Sequence, residues 1–267
     1  MIKITEIKAK SIIAKSGLPD SDFVINPYRG CQHGCLYCYA KFMARFSNHH
    51  GPWGRFLDVK INAADLIPQN TNKYKNKSIV MASVTDPYQP MERKYKLTRE
   101  ILTKLIPLKP KLCMLTKSDL IVRDIDLLKK FDQCSAGISL SLLDDQIRKE
   151  VESGASAVEQ RINALKELKK AKIFTVLFMS PLLPELSPWP EIILKTKKFV
   201  DEFWFENLNV KADNWLELSI WLKKKYPRLL KKYREIYFTK NNYWPKLKQQ
   251  IKQFCQNNRV RHQIYFH

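Results

Sequence analysis

Short continuous apolar runs alternate along this chain with segments whose apolar residues recur every three or four positions. The first pattern is that of strands covered on both faces, the second that of amphipathic helices packed over them. Strands are expected at 23–26, 78–84, 111–116, 136–140 and 173–179, with a sixth at 202–205. Helices are expected between them: from about residue 40, at 98–106 with Ile101, Leu102, Leu105 and Ile106 on one face, and along Ile121, Ile125, Leu128 and Phe131. Two more follow, one opening at Ser156 and carrying Val158, Ile162, Leu165 and Leu168, and one at 190–200. Pro107 and Pro110 stop the helix at 98–106, and Ser156 with Glu159 spells a capping box. Alternation of this kind builds a parallel sheet from βα units. Five or six units are too few to close an eight-stranded barrel. The expected fold is therefore α/β, a partial (open) (β/α)6 TIM-like barrel with its site at the C-terminal strand ends.

After residue 206 the pattern changes to helices around 215–225, 229–237 and 244–254 and a last strand at 260–266. The expected organisation is a barrel over 1–206 and a C-terminal extension over 207–267 packed on it. Composition sharpens this boundary. The whole chain of 267 residues carries a formal charge of +21, and residues 207–267 hold 14 Lys and Arg against 3 acids, so they supply +11 of it. They also hold eleven aromatics, including Trp215, Trp221, Tyr226, Tyr233, Tyr243 and Trp244. Cations interleaved with aromatics suit phosphate contact and base stacking, which makes Lys223, Lys224, Lys225, Arg228, Lys231, Lys232 and Arg234 candidate nucleic-acid contacts. The competing reading is an amphipathic cap, with Trp215, Leu218 and Leu222 on the barrel and solvated lysines opposite. A lysine excess from codon bias is a further plain account of the charge.

The N-terminus has no signal-peptide core, and the longest apolar-rich run, 173–179, is a strand's length and far short of a membrane span. Six cysteines in so long a chain do not form a disulfide scaffold, and three of them cluster. A cytoplasmic protein is expected. Those three, Cys31, Cys35 and Cys38, occupy eight residues in the spacing CxxxCxxC. Three thiolates converging on one point, with no fourth protein ligand, suit a 4Fe–4S cluster with one iron open to substrate. Structural zinc prefers four protein ligands in two pairs, and no second CxxC follows. Free structural thiols are the plain alternative.

The cysteine loop resembles that of the radical S-adenosylmethionine (AdoMet) superfamily, and its flanks, 26–40, resemble the spore photoproduct lyase-like branch. Residues 83–92 (SVTDPYQPME), 115–118 (LTKS), 139–144 (SLSLLD), Arg161 and 180–184 (SPLLP) follow the branch's pattern in order, so the resemblance spans roughly 5–205. It implies a partial (β/α)6 barrel, a 4Fe–4S cluster on Cys31, Cys35 and Cys38, and AdoMet cleaved to a 5′-deoxyadenosyl radical that abstracts hydrogen. It further implies AdoMet contacts from Tyr37, Thr85, Asp86, Lys117 and Ser139, and a hydrogen-relaying role for Tyr39. An external electron donor such as flavodoxin or ferredoxin and a monomeric enzyme are expected with it. One departure stands out: the branch's hydrogen-donor cysteine is Ser83 here. A serine O–H bond is too strong to stand in for a thiol. The expected function is radical AdoMet chemistry on a nucleic acid or nucleotide. The alternatives are a radical enzyme acting on a peptide, protein or small metabolite, and a non-catalytic iron–sulfur protein that binds nucleic acid.

Overall fold

The structure, a computed structural model, describes residues 2–69, 71–210 and 214–267. Its strands are β1 (Lys3–Ile7), β2 (Ile13–Lys15), β3 (Phe23–Ile25), β4 (Tyr28–Arg29), β5 (Phe56–Lys60), β6 (Ser78–Met81), β7 (Lys111–Thr116), β8 (Gln133–Ser139), β9 (Phe174–Leu182), β10 (Glu202–Asn207) and β11 (His262–Tyr265). Its α-helices are α1 (Glu92–Tyr95), α2 (Leu97–Leu105), α3 (Ile125–Leu128), α4 (Asp145–Val151), α5 (Val158–Lys170), α6 (Trp189–Thr196), α7 (Trp215–Lys225), α8 (Pro227–Phe238) and α9 (Tyr243–Asn257).

One large sheet runs β11-β10-β9-β8-β7-β6-β3-β2, parallel from β3 to β11, with β2 antiparallel at its edge. Each strand neighbours the next barrel strand in sequence, and the sheet ends without closing. This is the open barrel the apolar runs predict, lengthened by β11 beyond its sixth strand.

Side-chain alternation along the strands divides the two faces of the sheet. Ile79, Met81, Leu112, Met114, Ala136, Ile138, Leu177, Met179, Phe203 and Phe205 are buried under the helices, in one core with Ile101, Leu105, Ile162, Leu165 and Leu168. The alternate positions Cys113, Leu115, Phe178, Ser180, Trp204 and Glu206 are half-buried and line the inner, concave face. Thr116 of β7 pairs with Ile138 of β8, so Lys117 and Ser139 emerge side by side at the C-terminal rim.

Several local expectations give way to backbone detail. The segment after the cysteines is a 3-10 helix over Tyr39–Phe46, and the helix face around 121–131 is split between a 3-10 turn at Asp119–Asp124 and α3. The Ser156 capping box does not form. The Ser156 hydroxyl donates to Asp119 (2.7 Å) instead, and the Ala157 N–H is taken by Gln160 (2.9 Å) as α5 opens two residues later than expected. A small second sheet, β1-β5-β4, flanks the barrel entrance.

The C-terminal segment shares its apolar surfaces with the barrel. β11 pairs with β10, while Leu247, Ile251 and Cys255 of α9 join the main core. Leu218, Trp221, Leu222, Leu230 and Tyr233 pack in a second cluster with Cys35, Tyr37, Leu142, Val151 and Leu183. The aromatics singled out in the sequence thus largely cap the barrel beside the cysteine loop. Among the described residues no helix is long and apolar enough to cross a membrane.

Candidate active site

The cysteine loop leaves β4 and is held in place by glycines and by partners far away in sequence. Gly34 and Gly54 both adopt left-handed backbone (φ +57° and +87°), and a Cβ on Gly54 would sit 2.6 Å from the Gly34 Cα. Only glycine permits that approach. Gly154 is equally constrained, since a Cβ there would lie 2.1 Å from the Gln32 carbonyl oxygen. The N–H groups of Gly34 and Cys38 each donate back to the carbonyl of a cysteine three residues earlier, Cys31 and Cys35 (3.2 Å each). Leu36 N–H donates to the Val151 carbonyl (2.9 Å), and Gln89 Oε1 accepts from Gln32 N–H (3.0 Å).

His33, between the first two cysteines, is a clamp. Its Nδ1 lies 2.8 Å from the Gly154 carbonyl and its Nε2 3.1 Å from Asp86 Oδ2, both ring and carboxylate being buried. The Nδ1 contact is a hydrogen bond, whereas the Nε2 contact is close in distance but lacks hydrogen-bond geometry. Asp86 accepts hydrogen bonds from the Thr116 hydroxyl (2.6 Å) and from the backbone N–H groups of Lys117 (2.9 Å) and Tyr88 (2.8 Å). Burial alone would raise this carboxyl, but the His33 charge and these donors outweigh it and hold it down at about 2. Asp86 therefore ties the cysteine loop to β7, with its oxygens engaged by protein. The Thr85 hydroxyl is likewise engaged, donating to the Gly30 carbonyl (2.6 Å).

Cys31 and Cys35 are buried, Cys38 is half-buried, and all six cysteines are free thiols. Burial is the main cause that raises the Cys31 thiol, with Asp86, Cys35 and Cys38 pushing the same way. Among the described residues no three His, Cys, Asp or Glu side chains close on a point that would hold a single ion. A cluster spreads its thiolates over several irons, so three thiols around one opening fit it better than they fit a zinc tetrahedron.

Around this loop the structure gathers Tyr37, Lys117, Ser139 and Tyr39. The Tyr37 hydroxyl donates to Glu152, which pairs with Arg161 Nη2 at 2.7 Å, both charged groups being fully buried. Arg161 Nη1 also donates to the Ser139 carbonyl (2.9 Å). The Lys117 ammonium lies 5.7 Å from the Tyr37 ring centroid and 3.4 Å from the Ser180 carbonyl. Burial would favour its neutral form, but Cys35, Glu152 and Asp86 outweigh that and keep the amine charged. The Tyr39 hydroxyl donates to the Ser83 carbonyl, which places the relay candidate beside the departed donor position. Cys113 lies on the inner face lower down β7, where burial pushes its thiol up to about 12.

The basic candidates sit apart, exposed on α7 and α8. Lys225 pairs with Glu150 (2.6 Å) and Lys232 with Glu185 (2.8 Å), while Lys223, Lys224, Arg228, Lys231 and Arg234 make no ion pair among the described residues. His49 is buried against Asp58 (2.7 Å) and stacked on Phe56, because its loop folds back onto β5.

Sequence reasoning missed the reach of His33 and the pair Ser180–Glu206, in which the Ser180 hydroxyl donates to the Glu206 carboxylate on the inner face. Their only sequence signals are one histidine between ligand candidates and a strand ending in alternating aromatic and acid.

Residues 25–195 match the Radical SAM superfamily. The chain belongs to this superfamily. Radical SAM enzymes use a 4Fe–4S cluster and AdoMet, which when bound supply a 5′-deoxyadenosyl radical able to abstract hydrogen. An uncharacterized protein of Methanocaldococcus jannaschii is 42% identical, with 85% of each chain covered. A radical SAM Nα-GlyT isomerase of Pseudomonas phage M6 is 26% identical over 59% of this chain and 32% of its own length. Among solved structures, a spore photoproduct lyase complexed with dinucleoside spore photoproduct superposes with a TM-score of 0.70. That match is 13% identical and covers 99% of this chain and 82% of the lyase, a likeness of fold.

Proposed function

We propose that this radical AdoMet enzyme acts on a nucleic acid or nucleotide, modifying or repairing it, with its cluster on Cys31, Cys35 and Cys38. In this reading the Lys117 ammonium pairs the AdoMet carboxylate, and Ser139, level with it on the rim, contacts the cofactor. Tyr37 and Thr85 shape the same side of the opening, Tyr37 through Glu152 and Thr85 through Gly30. Asp86 acts through His33 and the β7 end, as a positioning residue. Tyr39, next to Cys38 in sequence and donating to the Ser83 carbonyl, is the candidate hydrogen relay. The electron comes from an external flavodoxin- or ferredoxin-type donor.

The observation that carries the substrate class is the set of unpaired cations on α7 and α8, whose buried side packs directly on the cysteine loop. A polyanion held there would be anchored on the helices that cover the cysteine loop. The solved spore photoproduct lyase holds a dinucleoside photoproduct, a ligand that agrees with this class. Deuterated DNA or RNA incubated anaerobically with enzyme, reductant and AdoMet should pass label into 5′-deoxyadenosine. Reversing Lys223, Lys224 and Lys231 to glutamate should weaken nucleic-acid binding and flatten its salt slope, each lost phosphate contact removing roughly 0.7–0.9. AdoMet affinity should hold. An unchanged slope, with no label transferred, would return the lead to a peptide or metabolite substrate.

The departure at Ser83 narrows the reaction. Clean reversal of spore photoproduct is not expected, because the hydroxyl at this position cannot return a hydrogen atom as a thiol does. Ser83→Cys should raise any yield of repaired thymines. Efficient repair by the unaltered protein, persisting in Cys113→Ala, would refute this.

A further inference from the structure

We propose that Glu206, braced by Ser180, reads ring N–H donors of a nucleobase lying on the inner face of the sheet against Phe178 and Trp204. The proposal rests on the nucleic-acid reading and specifies how the substrate is read.

Three observations carry it. Glu206 is the penultimate residue of β10, at a register shift between Phe205 and Asn207, where it is half-buried and its carboxylate is turned to the Ser180 hydroxyl of β9. One carboxylate oxygen accepts from the Ser180 hydroxyl; among the described residues the other has only His267 Nε2 at 3.8 Å, beyond hydrogen-bond reach, and so retains acceptor capacity. Ser180 also receives the Lys117 ammonium at its carbonyl, which places Glu206 one residue's width from the AdoMet-side rim.

Below it lies an aromatic row. Phe178 and Trp204 meet edge to face at 6.1 Å, Trp204 and Tyr265 at 5.9 Å, and the Trp204 indole N–H is locked on Glu202 at 2.8 Å. These rings are half-buried on the inner face, in contrast to the fully buried Phe203 and Phe205 behind them. Such a surface takes a planar ring. A carboxylate above it repels phosphate and accepts from an uncharged N–H, so the division of labour is base within and phosphates on the α7–α8 cations outside.

The test uses the cluster-loaded protein with AdoMet and two probes, the thymidine dinucleotide and its N3-methylated analogue, in anaerobic equilibrium dialysis. A hydrogen bond to a charged acceptor predicts that methylation weakens binding roughly tenfold or more. Glu206→Gln, whose amide oxygen still accepts but carries no charge, should cut that discrimination to a few-fold, with iron content and AdoMet affinity unchanged. Ser180→Ala, which leaves the carboxylate in place but unbraced, should reduce it part-way and serves if Glu206→Gln fails to fold. Equal binding of both probes by the unaltered protein overturns the role of Glu206 and leaves the nucleic-acid reading standing. Binding of neither probe, nor of longer DNA or RNA, overturns that reading as well.

Discussion

Replacing Cys31, Cys35 or Cys38 by alanine is expected to abolish iron retention and AdoMet cleavage together. Three thiolates are the minimum that leaves one iron open for AdoMet, so no member of the set is redundant. Anaerobically reconstituted protein should hold about four irons, as a single 4Fe–4S cluster requires. The isolated cysteines behave differently: Cys113, Cys134 and Cys255 sit on strands and a helix away from the loop, and their alanine variants should keep full iron. Because Cys31 and Cys35 are buried in a loop fixed by His33, Gly34 and Gly154, folding of each variant is checked by its unfolding transition in the apo form. Full iron in Cys35→Ala, or loss of iron in Cys113→Ala, would sink the assignment.

The parallel frame was legible because its strands are covered on both faces and read as unbroken apolar runs; the segments at 111–116 and 173–179 became β7 and β9 almost unaltered. The flanking sheet was not. β1 reads KITEI and β4 is two residues long, so neither carries enough apolar signal to stand out from a loop. The site divides the same way. Its thiols are adjacent in sequence and announce themselves by spacing, whereas the groups that hold them act across long separations: His33 meets Gly154 121 residues away, and Tyr37 meets Glu152 115 residues away. Composition cannot see such closures. Nor could it separate the two roles of the basic tail, where Trp221 and Tyr233 turned inward to the cysteine loop while Lys223, Lys224 and Lys231 stayed in solvent.

Arg161→Met is expected to be the most destabilising substitution away from the cysteines. Arg161 is fully buried on α5, reaching Glu152 with one nitrogen and the Ser139 carbonyl with another. Removing it leaves Glu152 as a buried carboxylate, facing only the Tyr37 hydroxyl and the more distant Lys117. Breaking a buried pair in this way costs about 3–5 kcal/mol, although pairs as such add little over apolar replacements. At roughly 2–4 °C per kcal/mol for a domain of this size, Tm should fall by about 10 °C. The pH dependence follows from the sign of the shift. In the native protein burial works to raise the Glu152 carboxyl, but Arg161, Lys117 and Tyr37 prevail and lower it. It therefore stabilises the fold above its unfolded value and loses that contribution as pH falls through the folded one. Without Arg161 burial wins and the shift reverses, so the deficit is greatest at neutral pH and shrinks in acid, where the carboxyl is protonated in both states. Adding Glu152→Gln should recover much of the lost Tm at pH 7, since the amide needs no counter-charge and still meets the Tyr37 hydroxyl. Thermal unfolding of the single and double variants between pH 4 and 8 checks this, and a deficit of only 1–2 °C independent of pH would show that the pair does not carry the charge balance beneath the cysteine loop.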